Sequence, residues 1–310
     1  MTPIKRLLAC ATALAAIATL GATTPALAAD EAVTVSRLVF EPTDRGYTAS
    51  VRITIRNTGA EAQAPAVTFA EPTAGSWVDT TNTSGCTTAL DEFSPPATGR
   101  GILCRPDRIL QPGETLRMTA SFHALTRTRA YAMSAPDLTV RLIGDGGTFL
   151  GETTTTTRFR STSGSLADPR PYVQDTQPNA TLRAPATVLL TRRPGPDASF
   201  AGRMTVTVKW RGDSPAEYID LGTEALPPGV LIDRTEPPSS RCLGFSCAIP
   251  GGGMMPGESR TFDVLLSGSV DLVEGPVGTM PLTLRTWWLN EVPDLDPSDN
   301  VVRIAVTAED

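Results

Sequence analysis

The chain holds a single histidine, His123, and that fact limits the acid-base chemistry open to it. A Ser-His-Asp nucleophile would have to run through that ring. No Gly-x-Ser-x-Gly elbow exists, and the alternation of Leu116, Met118, Ala120 and Phe122 puts His123 on the water-facing side of a strand, with nothing to orient it. General acid-base work by paired carboxylates has 33 acidic residues to draw on, but no pair stands out. Asp294, Asp296, Asp299 and Asn300 offer hard oxygens to a calcium ion. The calcium-loop pattern nevertheless fails, since Asp299 stands where glycine is needed and Ala305 where a bidentate glutamate is needed. The run is better explained as a hairpin turn whose side chains serve local backbone groups. Zinc is disfavoured because the cysteines lack C-x2-C spacing and only one histidine is present. No residue is assigned to catalysis or to a metal, no cofactor is expected, and the chain is read as a non-enzyme.

Two short features point to binding instead. Arg211-Gly212-Asp213 is the tripeptide that animal integrins read, but Gly212 falls where Gly59 stands in an earlier repeat, so a turn already explains the glycine. Trp287 and Trp288 are the only adjacent tryptophans. On a strand, Met280, Leu282, Leu284 and Trp288 share one face, and Trp287 shares the other with Arg285. If the even positions are the core face, Trp287 projects outward beside Arg285. It is then covered by the rest of the protein, idle, or a stacking platform for a sugar ring or a protein partner.

The N-terminus bounds where such binding happens. Lys5 and Arg6 precede an apolar run from Leu7 to Ala22 and the small-residue site Ala26-Leu27-Ala28, so residues 1–28 are read as a secretory signal peptide. A lipoprotein-type cut before Cys10 is set aside, because it would leave almost no apolar segment upstream. No later stretch is apolar over spanning length, so no membrane span is expected and the mature chain should be soluble. Of 27 basic residues, Lys5 and Arg6 leave with the signal, and the net charge moves from −6 to −8. That disfavours a nucleic-acid partner. Cys86, Cys104, Cys242 and Cys247 remain, an even count in an oxidising compartment. Three pairings are open; Cys86 with Cys104 and Cys242 with Cys247 is favoured because each bond then stays inside one repeat.

The elements that carry these residues are strands. Tyr47, Ala49, Val51, Ile53 and Ile55 alternate with Thr48, Ser50, Arg52, Thr54 and Arg56, the mark of a sheet with one buried face. The pattern recurs: Val51, Ile53, Ile55 and Gly59 match Met204, Val206, Val208 and Gly212 at one offset of 153. The stretch LQPGETLRMTASF from Leu110 returns as MMPGESRTFDVLL from Met254, each with a Pro-Gly-Glu turn before an alternating strand. The Thr153 to Thr157 run is expected to be a last edge strand of the first copy. Residues 29–160 and 179–310 are read as two β-sandwich domains, and 161–178, rich in Ser, Pro and Asp, as the linker.

An alternating strand ending near Asn-Thr-Gly, a paired cysteine, the Pro-Gly-Glu turn and the Asp-Pro-Ser-Asp-Asn run before the last strand together resemble the immunoglobulin-like repeats of unknown function in bacterial surface proteins. They are also similar to the related cell-adhesion bacterial domain. The second half carries the Asp-Pro-x-x-Asn ending and the first lacks it. The resemblance implies an all-β chain of two tandem immunoglobulin-like sandwiches, secreted or wall-associated, acting by binding an extracellular protein or polysaccharide or as an adhesive or structural module. It brings no catalytic residue. A carbohydrate-binding module for wall or extracellular polysaccharide is the alternative; exposed aromatics on one sheet face would favour it, and a pocket of converging carboxylates would favour a hydrolase.

Overall fold

The computed structural model describes residues 32–89, 100–195 and 198–310, so the expected signal peptide lies outside the described residues. The first half contains β1 (Val33–Val35), β2 (Leu38–Thr43), β3 (Gly46–Arg56), β4 (Ala66–Ala70), β5 (Trp77–Thr80), β6 (Thr83–Ala89), β7 (Gly101–Pro106), β8 (Thr115–Ala124), β9 (Met133–Ile143), β10 (Phe149–Phe159) and the short β11 (Arg170–Pro171). The second contains β12 (Ala180–Arg183), β13 (Thr187–Arg192), β14 (Phe200–Trp210), β15 (Tyr218–Gly222), β16 (Val230–Glu236), β17 (Ser246–Ala248), β18 (Ser259–Gly268), β19 (Gly275–Trp288), β20 (Asn290–Val292) and β21 (Val301–Glu309). Helix among the described residues is confined to two 3-10 turns, Asp145–Gly147 and Pro297–Asn300, and no helix there is long and apolar enough to cross a membrane.

Alternation makes β3 and β14 what they are. Tyr47, Val51, Ile53 and Ile55 are fully buried while Thr48, Ser50 and Arg52 face water; Met204, Val206, Val208 and Trp210 repeat the pattern. Each aliphatic or aromatic side chain so buried contributes about 1.5–3 kcal/mol through removal from water. The first core is aromatic at its centre, with Phe40 stacked on Phe159 at 4.4 Å and Tyr47 edge-on to Phe159 at 5.1 Å. The second core is separate and gathers around Phe200, Trp210, Phe262 and the aliphatics of β19 and β21.

The two halves share one topology. The strand order is β5-β8-β3-β2-β10-β9-β4-β7-β6 in the first and β16-β18-β14-β13-β21-β19-β15-β17 in the second. In each, one strand joins the two arms of a continuous sheet, antiparallel on one side and parallel on the other. Glu41–Thr43 of β2 pairs antiparallel with β3 while Leu38–Phe40 pairs parallel with β10, and β13 likewise bridges β14 and β21. The register agrees as well, with Val51 opposite Ala120 in one half and Met204 opposite Val264 in the other. β10 is an interior strand, joined to both β2 and β9, and not the edge that its threonines suggested. Its threonines alternate between half-buried Thr153 and Thr155 and exposed Thr154 and Thr156, while Thr157 and Phe159 are buried and Leu150 packs on the core.

Both Pro-Gly-Glu turns close in the same way. Gly113 and Gly257 take φ of +77° and +87°, which glycine supplies at no steric cost. The following glutamate folds back: Glu114 Oε2 accepts from Gln111 N at 2.9 Å and Glu258 Oε2 from Met255 N at 2.7 Å. The turn therefore satisfies a backbone donor with its own side chain, which explains why glutamate recurs there.

Candidate functional site

β15 and β19 run side by side in a register that sets Tyr218 opposite Trp287 and Asp220 opposite Arg285. On the core side of these strands Ile219, Leu221, Leu282 and Leu284 are buried. The opposite face carries Tyr218 and Trp287, both partly exposed and stacked at 5.7 Å with their planes 27° apart. Gly222 lets β17 approach, since a Cβ there would stand 2.7 Å from Ser246 Cβ. Above the edge, the Cys242–Cys247 bond closes a loop that holds Leu243 and Phe245 out in solvent, each more than half exposed. Together these residues line a groove of about 250 Å³.

The charges in the groove are paired. Arg241 Nη2 donates to Asp220 Oδ2 at 2.8 Å and its guanidinium lies 4.5 Å from the Tyr218 ring centre. That carboxylate holds the Arg241 guanidinium above its ordinary value, chiefly through the hydrogen bond. Arg285 pairs with Glu224 and stands 4.0 Å from Glu291. Two polar atoms remain without a hydrogen-bond partner: Asp220 Oδ1, on a residue only 7% exposed, and Trp287 Nε1. Both atoms are closed off from the groove's surface, and an unpaired buried polar atom costs about 1–3 kcal/mol.

A second cluster joins the halves. Asp213 accepts from Thr126 Oγ1 at 2.6 Å, Tyr172 Oη at 3.0 Å and Asp175 N at 3.0 Å, while its own N donates to Asp175 at 3.1 Å. Gln174 adds bonds to both Ala74 backbone atoms and to Asp213 O. Burial, followed by the Asp213 charge, pushes the Tyr172 phenol far above its usual range. Trp288 packs here too, 3.6 Å from where a Cβ on Gly75 would lie and 4.6 Å beneath the Arg100 guanidinium. Arg100 in turn pairs with the buried Glu71 at 3.1 Å. Residues 161–178, read from sequence as a linker, lie along β9 through β11 and through Tyr172 N to Ser134 O.

The other sequence candidates resolve as follows. Cys86–Cys104 and Cys242–Cys247 are both bonded. Trp287 and Arg285 sit in the groove on the outer face, whereas Trp288 is the tryptophan at the junction. His123 Nε2 meets only the Arg45 carbonyl at 2.6 Å among its hydrogen-bond contacts. Asp294 caps Ala180 N and Asp296 N, and Asp296 caps Ser298, so the run behaves as a turn built on its own side chains. No cluster of three or more metal-ligating groups occurs among the described residues. Asp213 of the Arg-Gly-Asp tripeptide is spent inside the molecule. Sequence reasoning missed Tyr218, Asp220, Arg241 and Phe245. The only signal was Arg241 beside the second cysteine pair and Phe245 inside it.

No family model and no curated protein matches the chain. Among solved structures, the chain is similar to a crystal structure of the YadV chaperone, at 11% identity and a TM-score of 0.22 over 88% of this chain and 99% of that one. It is also similar to a mutant of the CFA/I adhesin CfaE of enterotoxigenic E. coli, at 11% identity and a TM-score of 0.27 over 84% of this chain and 78% of that one. Superpositions this loose transfer neither a fold nor a role.

Proposed function

We propose that the chain is an exported, non-enzymatic protein of two tandem immunoglobulin-like sandwiches, and that it works outside the cell by binding, with the groove along β15 and β19 as its contact surface. The single observation that carries this is the groove's composition. Trp, Tyr and Arg dominate the energetics of binding surfaces, and here Trp287, Tyr218, Arg241 and Arg285 converge at one partly exposed place, rimmed by Leu243 and Phe245. The ionisable groups support binding over catalysis: each arginine in the groove is engaged by a carboxylate, and no free acid and base face one another there. One support for the immunoglobulin-like assignment is the strand in each half, β2 or β13, that pairs antiparallel on one side and parallel with β10 or β21 on the other. Export is supported by the leader pattern and by disulfides, which persist in oxidising compartments.

The test is to fractionate the native culture into medium, wall and membrane, then cross-link the protein in the fraction that holds it. Trp287→Ala in the full chain should abolish the cross-link while leaving the melting temperature within about 2 °C, as expected for a partly exposed side chain. Retention of the protein in the cytosol would overturn the export part of the proposal. An unchanged cross-link with the variant would overturn the groove as contact surface.

A further inference from the structure

We propose that a second cleft, at the junction of the halves and independent of the groove, binds an organic cation with an apolar, ring-sized body. The cleft holds about 360 Å³. That lies toward the lower end of small-molecule sites, about 300–1,000 Å³, and such sites favour the seams between domains. Its walls come from both halves and from the segment that runs between them. Pro72 and Pro136 stand on the first half, Pro215 and Trp288 on the second, and Tyr172 and Val173 on the connecting segment. The three prolines bring no amide N–H to those walls, so they offer C–H surface with no donor to satisfy. Gln174 also lines the cleft, but its amide is spent. Its Oε1 accepts from Ala74 N at 3.1 Å, and its Nε2 donates to Ala74 O and to Asp213 O at 3.0 Å each. The walls therefore ask the body of a ligand only for apolar contact. They are also open to it: Val173 is 82% exposed, Pro136 is exposed, and Trp288 and Pro215 are half-buried.

The rim decides the charge of the ligand. Asp175 and Thr176 line the cleft from exposed positions. Asp175 and Asp213 are held side by side, since each backbone N donates to the other's carboxylate, at 3.0 and 3.1 Å. Asp213 also accepts from the hydroxyls of Thr126 and Tyr172. Neither carboxylate has an ion pair with an arginine or lysine among the described residues. Arg211 reaches away to Thr181 Oγ1 at 3.4 Å. Arg100, 4.6 Å from the centre of the Trp288 ring, has its charge met by Glu71 at 3.1 Å and Glu217 at 3.8 Å. The rim thus sets two unpaired negative charges beside an apolar cleft, which attracts a cation and repels an anion. Because facing walls belong to different halves, a ligand seated between them binds the closed junction and stabilises it by mass action.

The test uses three probes that share one body and differ in charge: tryptamine, indole and indole-3-acetate. Each is titrated calorimetrically at low salt into the full chain, as wild type and as Val173→Arg, which sets a guanidinium on the rim at an exposed position. Tryptamine should bind about fivefold more tightly than indole, the scale of an exposed ion pair, and indole more tightly than indole-3-acetate. Salt at about 0.5 M should draw tryptamine down to the affinity of indole, because it screens exposed charges. Val173→Arg should weaken tryptamine at least about tenfold while melting within about 2 °C of wild type. Saturating tryptamine should also slow proteolysis between residues 160 and 179 in the wild type. Absence of tryptamine binding would overturn the proposal, as would indole-3-acetate binding as tightly as tryptamine, or full tryptamine affinity in Val173→Arg. Tryptamine that binds without slowing that cleavage would place it away from the junction and overturn the proposal as well. The groove along β15 and β19 stands or falls separately, by the Trp287→Ala cross-link.

Discussion

Replacing Asp213 with alanine should unlatch the two halves. The variant removes three acceptor contacts at once, from Thr126 Oγ1, Tyr172 Oη and Asp175 N. Hydrogen bonds to a charged group are worth about 1.5–3 kcal/mol each, but Asp213 is partly exposed and water replaces some of what is lost, so the expected net cost is about 2–4 kcal/mol. At the lower end the open population of the junction rises about 30-fold, and cleavage of a transiently opened segment follows that population. Limited proteolysis of the native protein reads it directly. The wild-type segment between residues 160 and 179 should resist, held by β11, Tyr172 and Gln174, whereas the alanine variant should be cut there first and yield two resistant halves. Asp213→Asn, which keeps an acceptor oxygen, should fall between. Equal cleavage rates in the wild type and the alanine variant would refute the reasoning, and so would first cleavage within a sandwich.

Further outcomes follow from the same geometry. Glu258 lies below the ordinary glutamate range: burial pushes its pKa up, but the hydrogen bonds from Arg260 and Met255 N and the charges of Arg260 and Arg45 outweigh it. Its contribution to stability is therefore complete above the unfolded-state value of about 4.3 and is lost as pH falls through the lower folded value. Urea titrations should show a shallower acid limb in Glu258→Gln than in wild type, and identical limbs would refute the assignment. Gly46→Ala should destabilise by roughly 3 kcal/mol or more, because φ is +95° and the new Cβ would lie 2.2 Å from Ala124 O; a melting temperature equal to wild type would contradict this. Reducing Cys86–Cys104 should remove about 3 kcal/mol and Cys242–Cys247 about 2 kcal/mol in the chain-entropy estimate. Only the second should also weaken ligand binding, since it positions Leu243 and Phe245.

Local periodicity made β3, β14 and the two glutamate turns legible, because each is decided by neighbours in sequence. β10 was misplaced for the opposite reason. Its threonines lack apolar alternation, and its position is set by parallel pairing with β2, which lies at the other end of the first half. β6, which carries Cys86, escaped notice because its residues are small and mostly polar, with no apolar alternation. Alternation separated the faces of Trp287 and Trp288, yet it could not show that the even face runs past the second core to the junction, where Trp288 meets Arg100. Asp213 read as an ordinary turn residue, for its partners come from segments far away in the chain. The groove shares that difficulty: Tyr218 meets Trp287 only through the register of β15 on β19, and Arg241 arrives from a separate loop.

The duplication did not duplicate the joint. At the offset that matches Met204 to Val51, Asp213 corresponds to Ala60, an exposed residue with no side-chain acceptor. The two copies thus kept the same strands and the same turn while only one turned its loop into a clasp. A further unit fused ahead of the first would meet an alanine where the clasp should be and would swing on a loose hinge. The clasp is shared by several residues, so moving it to position 60 would take an aspartate there together with the Thr126, Tyr172 and Asp175 equivalents.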